Sequence, residues 1–315
     1  MEDMSIAATP GTVVGIDGSA DGEAALRWAV ADALLRRQQI TLVHVVSPLV
    51  GGFSGIGMPT PVLPEDLNEW QQAHGRHLLE NAARMARAIA GDQELQINTK
   101  TPFGAVVPTL VELSTRADMM VLGSRGLGSF SRVLLGSVST ALVHHAHCPV
   151  VLVHAEAPAV PVNAPILLGT DGSVGSVPAI ELAFQQASCR HAELVVLHAC
   201  SDAEVPRVTP TPWWAEDADA EHRLTQFLLP YRERYPEVEV RYCIVRDHPA
   251  RHLVEESESA QMVVVGSRGR GGLAGMLLGS VSSAVVHAAI TPVIVARRDA
   301  THATSSPTIA AAAQS

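Results

Sequence analysis

Two glycine-rich segments of this chain carry the residue types that bind an anion through backbone rather than through lysine. Gly126 and Gly136 are separated by nine residues, and so are Gly269 and Gly279. The first glycine of each pair closes Val-Leu-Gly-Ser-Arg-Gly (Val121–Gly126) or Val-Val-Gly-Ser-Arg-Gly (Val264–Gly269), and the second opens Gly-Ser-Val-Ser. Glycine lets another group approach the backbone where a Cβ would clash. Gly126, Gly128 and Ser129, and in the second copy Gly269, Gly271 and Gly272, can therefore turn N–H groups toward phosphate oxygens. Ser137 and Ser280 each follow a glycine at a helix start, where free amides and the helix dipole favour negative charge. Acids repeat as well: Gly-Ile-Asp-Gly-Ser (Gly15–Ser19) returns as Gly-Thr-Asp-Gly-Ser (Gly169–Ser173).

Lys100 is the only lysine, so a Gly-Lys-Ser/Thr phosphate loop is excluded. Phosphate charge would have to be offset by the dipoles, by Arg125 and Arg132 or Arg268 and Arg270, and by a divalent ion. Gly-x-Gly-x-x-Ala at Gly269–Ala274 follows the fourth strand of its half rather than the first, which argues against a dinucleotide fold. His144, His145, His147 and Cys148 have the types of metal ligands. Their second-copy counterparts are His287, Ala288, Ile290 and Thr291, so one ligand of four recurs and no metal site is expected. His44 and His198, at strand ends, read as packed structural histidines. No Ser-His-Asp or paired-carboxylate constellation stands out, so no catalytic residue is assigned and the chain is not expected to be an enzyme.

A net charge of -10 lacks the basic face that a nucleic-acid surface needs. No run of about 18 apolar residues is present, so no membrane span is expected. The acidic N-terminus precedes no long apolar run, and the four cysteines show no Cys-x-x-Cys spacing. These features predict a cytoplasmic protein with unpaired thiols. Hydrophobic residues make up 47% and aromatics 4%, so the cores must be built from Val, Leu, Ile and Ala.

The elements that must position these loops also come twice. Asp17 to Asp171 spans 154 positions, too long for a solenoid repeat and natural for a whole domain. Residues 1–155 are expected to form one nucleotide-binding domain, 156–164 a linker, 165–298 a second domain and 299–315 a disordered tail. Within the first, strands at Thr12–Ile16, Ile40–Val46, Leu95–Lys100, Met119–Leu122 and Pro149–Val153 alternate with helical patterns at Ala20–Arg37, Leu67–Ala90, Val107–Arg116 and Gly136–Ala146. Ser47–Pro64 is Gly/Pro-rich and predicts a loop, as does Ala199–Trp213, where Trp213-Trp214 would form a surface contact or a lid. This order predicts an α/β fold: two tandem Rossmann-like domains, each a doubly wound parallel five-stranded sheet with helices on both faces. Pro149–Val153 and Pro292–Ala296 are short apolar edge candidates, expected to pair the two halves or to form a homodimer.

Val-x-Gly-x-x-Gly, nine residues, then Gly-Ser resembles the ATP-binding signature of universal stress proteins. Asp-Gly-Ser near the start, His-Val at the second strand end and the closing Pro-Val-x-Val fit the same family, twice, over nearly the whole chain. The resemblance implies ATP as ligand with Mg or Mn, and a nucleotide-dependent regulator of a stress or dormancy response acting on an unknown protein partner. A slow metal-dependent ATPase on the same fold is the alternative. It places Gly15 and Asp17, or Gly169 and Asp171, at the first strand end, with the acid at the adenine end. Val45 and Ala199 would line the adenine pocket, and the smaller Ala199 implies a looser second pocket. Ribose and phosphates would meet Gly123, Ser124, Arg125, Gly126, Leu127, Gly128, Ser129, Gly136, Ser137 and Val138. Gly266, Ser267, Arg268, Gly269, Arg270, Gly271, Gly272, Gly279, Ser280 and Val281 are their counterparts.

Overall fold

The computed structural model describes residues 11–47, 65–127, 135–200, 213–269 and 277–297. The first half runs β1 (Thr12–Gly15), α1 (Ala20–Arg36), β2 (Ile40–Val43), α2 (Glu65–Ala90), β3 (Ile97–Lys100), α3 (Val106–Ser114), β4 (Met119–Gly123), α4 (Ser137–His145) and β5 (Val150–Val153). The second runs β6 (Ile166–Gly169), α5 (Val177–Arg190), β7 (Leu194–Cys200), α6 (Trp213–Arg234), β8 (Val240–Arg246), α7 (Pro249–Ser257), β9 (Met262–Gly266), α8 (Ser280–Ala288) and β10 (Val293–Ala296). No strand or helix lies between Val153 and Ile166. Most of the Ser47–Pro64 segment and the 299–315 tail fall outside the described residues. Trp213 and Trp214, expected in a loop, instead begin α6. The polar stretch that follows them hides their helical register, because it leaves few apolar positions to show a period.

Each half is a parallel five-stranded sheet, and the two join into one, in the order β3-β2-β1-β4-β5-β10-β9-β6-β7-β8. The join is the one antiparallel pairing among the described strands: Val293 faces Leu152, Ile294 faces Val151 and Val295 faces Val150. The closing strands named from the sequence thus meet within the chain. All four residues of β5 and of β10 are buried, which accounts for unbroken Val/Ile/Leu runs without alternation. Successive strand residues serve opposite faces: Val14 packs into the cluster under α1, α2, α5 and α6, and Val13 into the one under α3, α4, α7 and α8.

Local sequence sets how each half enters its first helix. Ser19 caps α1, its Oγ accepting from the Gly22 N–H at 3.0 Å, and Asp21 and Glu23 stand in the first turn where the dipole favours acids. The second half carries Gly175 and Ser176 where the first has Asp21 and Gly22. Ser176 Oγ donates back to the Ser173 carbonyl at 2.8 Å, a local bond that competes with the helix. A single 3₁₀ turn (Val174–Ser176) results, and α5 starts only at Val177.

A second seam joins the halves on one face. Asp32 on α1 is fully buried and accepts from Arg190 Nη2 of α5 at 2.8 Å and from Arg36 Nη1 at 3.4 Å. The Arg190 guanidinium also lies 5.7 Å from the centre of the Trp28 ring. The 154-residue offset that relates the early motifs places Gln186 where Asp32 stands and Arg190 where Arg36 stands, so the acid is carried by the first copy alone.

Candidate functional sites

In each half the chain leaves the first and fourth strands toward opposite sides, and a cleft opens between them, where ligands bind in open α/β sheets. The first cleft encloses about 510 Å³ between β1, β2 and β4 and the start of α4. Gly15, Asp17, Val45, Gly123, Arg125, Gly126, Gly136, Ser137 and Val138, all candidates from the sequence, line it. The second encloses about 290 Å³ and is lined by Gly169, Asp171, Ala199, Gly266, Arg268, Gly269, Gly279, Ser280 and Val281. Gly128, Ser129, Arg270, Gly271 and Gly272 lie outside the described residues.

Three expected residues are not on the cleft walls. Ser124 is fully buried behind the loop, Leu127 is 75% exposed on the outside, and Ser267, the counterpart of Ser124, is likewise absent from the lining. As a whole, the second cleft is the smaller. Leu253 of α7 reaches over its floor: a Cβ on Gly169 would stand 2.8 Å from Leu253 Cδ1. Wall residues missed from the sequence include Val106 and Leu110 of α3, whose four-residue spacing is their only signal, and their counterparts Pro249 and Leu253.

The clefts share one construction. Gly136 and Gly279 are the extended N-caps of α4 and α8, and neither helix has a side-chain cap. Their first-turn amides are therefore left for an outside acceptor. Each N-cap amide donates 2.8 Å to a loop carbonyl, Gly136 to Ser124 and Gly279 to Ser267, which fixes the helix start against the loop. Ser139 Oγ donates to the Gly123 carbonyl at 2.7 Å, and Ser282 Oγ to that of Gly266.

Asp17 Oδ1 accepts from the Ser19 N–H at 2.9 Å and the Ser19 hydroxyl at 2.6 Å. A Cβ on Gly126 would come within 2.8 Å of Asp17 Oδ2, and one on Gly269 within 2.7 Å of Asp171 Oδ2. The acid thus stands against the glycine loop. Asp17, which the resemblance puts at the adenine end, and Gly126, which it puts on ribose and phosphates, stand side by side. His44 Nδ1 donates to the Ile16 carbonyl at 2.7 Å and His198 Nδ1 to that of Thr170 at 2.9 Å, bonds that tie the second strand of each half to the end of the first.

Behind the first loop lies a polar cluster that the sequence did not disclose. Asp21 Oδ2 accepts from Ser124 Oγ at 2.7 Å and from Arg125 N and Nε at 3.1 Å each, while Oδ1 accepts from the Ala155 N–H at 2.9 Å. Ser124 Oγ is also 2.7 Å from His154 Nδ1. The counterparts of Asp21 and His154 are Gly175 and Arg297, so comparing the repeats hides both. This Asp-Ser-His group does not have the order of a hydrolase triad. The serine is the central, fully buried member, and the acid bonds to the serine instead of orienting the histidine. Burial alone would raise the Asp21 carboxyl, but the hydrogen bonds from Ser124, Ala155 and Arg125, with Arg125's charge, hold it below the usual carboxylate value.

Burial is the main cause that pulls the His154 imidazole below its ordinary value; Arg125 adds to it, against Asp21 and Glu156. Burial likewise lowers His144 between the halves, helped by His145, Arg297 and His287. The unfolded chain takes up these protons near pH 6.5 and the folded chain resists them. Stability contributed by both groups is full above that pH and is lost as pH falls below it. The urea midpoint should drop between neutral pH and pH about 5.5, and the drop should shrink in His144→Gln/His154→Gln.

Gly123 tests packing rather than binding. A Cβ there would lie 2.7 Å from the Asp21 carbonyl carbon and 2.7 Å from the Gly22 nitrogen, backbone atoms that cannot give way. Gly123→Ala should lower unfolding free energy by about 1–3 kcal/mol through overpacking of α1 against β4, measured by urea titration.

Among the described residues no three His, Cys, Asp or Glu side chains gather as metal donors, and no helix is long and apolar enough to cross a membrane.

A family model described as the universal stress protein family matches residues 12–154 and again 163–297. A universal stress protein of Mycobacterium tuberculosis is 46% identical over 291 residues, covering 91% of this chain and 97% of that protein. Another from the same organism is 47% identical over 296 residues, covering 92% and 97%. The crystal structure of a universal stress protein from Archaeoglobus fulgidus superposes with a TM-score of 0.68 at 20% identity, covering 92% of this chain and 99% of that one, a likeness of fold. Two matched segments, each with its own sheet and cleft, and relatives matched nearly end to end place this chain in the universal stress protein family, with two of its domains in tandem.

Proposed function

We propose that both clefts bind ATP and that nucleotide occupancy regulates what the chain associates with. The observation that carries this reading is the pair of uncapped helix N-termini, α4 and α8, each opening into a cleft beside a glycine loop. Their amides and dipoles suit phosphate oxygens. The apolar walls from Val45, Val106 and Leu110 suit a base. Asp17 or Asp171, next to the loop, would accept hydrogen bonds from ligand hydroxyls. Mg or Mn would enter with the phosphates and offset their charge.

Binding rather than turnover is the function we infer. A hydrolase needs a positioned base near the reacting phosphate. The repeated acids of the clefts are Asp17 and Asp171, and each has Oδ1 engaged by the serine two residues on. The buried Asp21-Ser124-His154 group faces away from the cleft lining. The account expects nucleotide to be carried through purification. Protein isolated without added nucleotide should release ATP or ADP on denaturation, read by mass spectrometry. Empty protein that also fails to take up ATP would contradict the proposal.

A further inference from the structure

The two clefts differ in what holds their arginine. In the first, Arg125 Nε donates to Asp21 Oδ2 at 3.1 Å and Nη2 lies 3.9 Å from Glu156 Oε1. The Arg125 side chain is 17% exposed and that of Asp21 5%, and Asp21 is itself fixed by Ser124 and the Ala155 amide. This guanidinium is answered by a buried carboxylate behind the loop. In the second cleft Gly175 occupies the position of Asp21, and the acid is gone. Arg268 lines that cleft and is exposed, and no ion pair engages it among the described residues.

An arginine already paired to a carboxylate contributes little net charge, whereas an uncommitted one can meet a phosphate bidentately. The first cleft is also the roomier, about 510 against about 290 Å³. Resting on the nucleotide reading above, we infer that the second cleft selects its ligand by phosphate charge and takes nucleoside di- and triphosphates, while the first recognises the nucleoside and responds weakly to the number of phosphates. The asymmetry lies in the residue behind the loop, Asp21 or Gly175, while the loop motif Gly-Ser-Arg-Gly is the same in both.

The test uses the full chain with one cleft blocked at a time. Ser137→Glu repels phosphate-bearing ligands from the first cleft and leaves the second readable with AMP, ADP and ATP, and Ser280→Glu does the same for the first. Adenosine, which carries no charge to repel, is read on the double variant as well, to give its phosphate-independent binding. Adenosine, AMP, ADP and ATP are titrated into each variant by calorimetry at low and at high salt. The ratio of ATP to AMP affinity should be about tenfold larger at the second cleft than at the first, equivalent to about 1.4 kcal/mol. High salt should shrink that difference, and Arg268→Met, at an exposed position, should abolish it. Equal ratios at the two clefts, or a second-cleft ratio unmoved by Arg268→Met, would overturn the inference and leave nucleotide binding intact. Failure of all four compounds to bind either cleft would overturn the nucleotide reading and the inference with it.

Discussion

Asp32→Ala is expected to remove about 3–5 kcal/mol of folding free energy, the range for deleting one partner of a buried ion pair. Asp32 is fully buried and Arg190, across the seam, is 8% exposed. Alanine would leave the buried Arg190 guanidinium beside Trp28 without its carboxylate, held by the neutral Gln186 Oε1, and would also strip Arg36 of its acceptor. The loss should appear as a lower midpoint in urea with both halves affected, because α1 and α5 belong to different halves. An apolar pair at both positions, such as Asp32→Leu with Arg190→Met, should recover much of the loss. A loss under about 1 kcal/mol for Asp32→Ala, the range of a surface pair, would show that the seam does not depend on this contact.

Ser137→Glu and Ser280→Glu should each eliminate one nucleotide-binding event. Both serines are exposed in the first turn of an uncapped helix that opens on a cleft. A carboxylate there is compatible with the helix dipole, so the fold is kept. It would stand where the account puts the ligand's phosphates, and like charges brought together cost several kcal/mol. Affinity at the altered cleft should fall roughly a hundredfold or more, while circular dichroism and the urea midpoint stay as in the parent chain. Unchanged stoichiometry in both variants would remove the helix N-termini from the binding reading.

The repeated parts of the fold were the legible ones. Buried strands such as Met262–Gly266 announce themselves as unbroken apolar runs, and motifs that return at fixed spacing place the cleft before any coordinates do. The closing strands were legible for the same reason, because two short apolar runs at unprotected edges must cover one another. What differs between the copies stayed hidden. Asp21 reads as an ordinary helix-start acid, and its link to Ser124, 103 positions away, is visible only once α1 and β4 are packed together. The reach of Leu253 of α7 over the floor of the second cleft was not legible either, because it is a tertiary contact. The burial of Ser124 behind the loop was hidden as well, because sequence order cannot tell which side of a loop a hydroxyl faces.

On the proposed reading, one chain holds two nucleotide sites. Calorimetric titration of ATP into the nucleotide-free chain, with Mg present, measures this directly. The predicted result is two ATP bound per chain, falling to one in either Ser137→Glu or Ser280→Glu and to none in the double variant. Heat consistent with no ATP bound, in protein whose folding is verified by its urea transition, would contradict it.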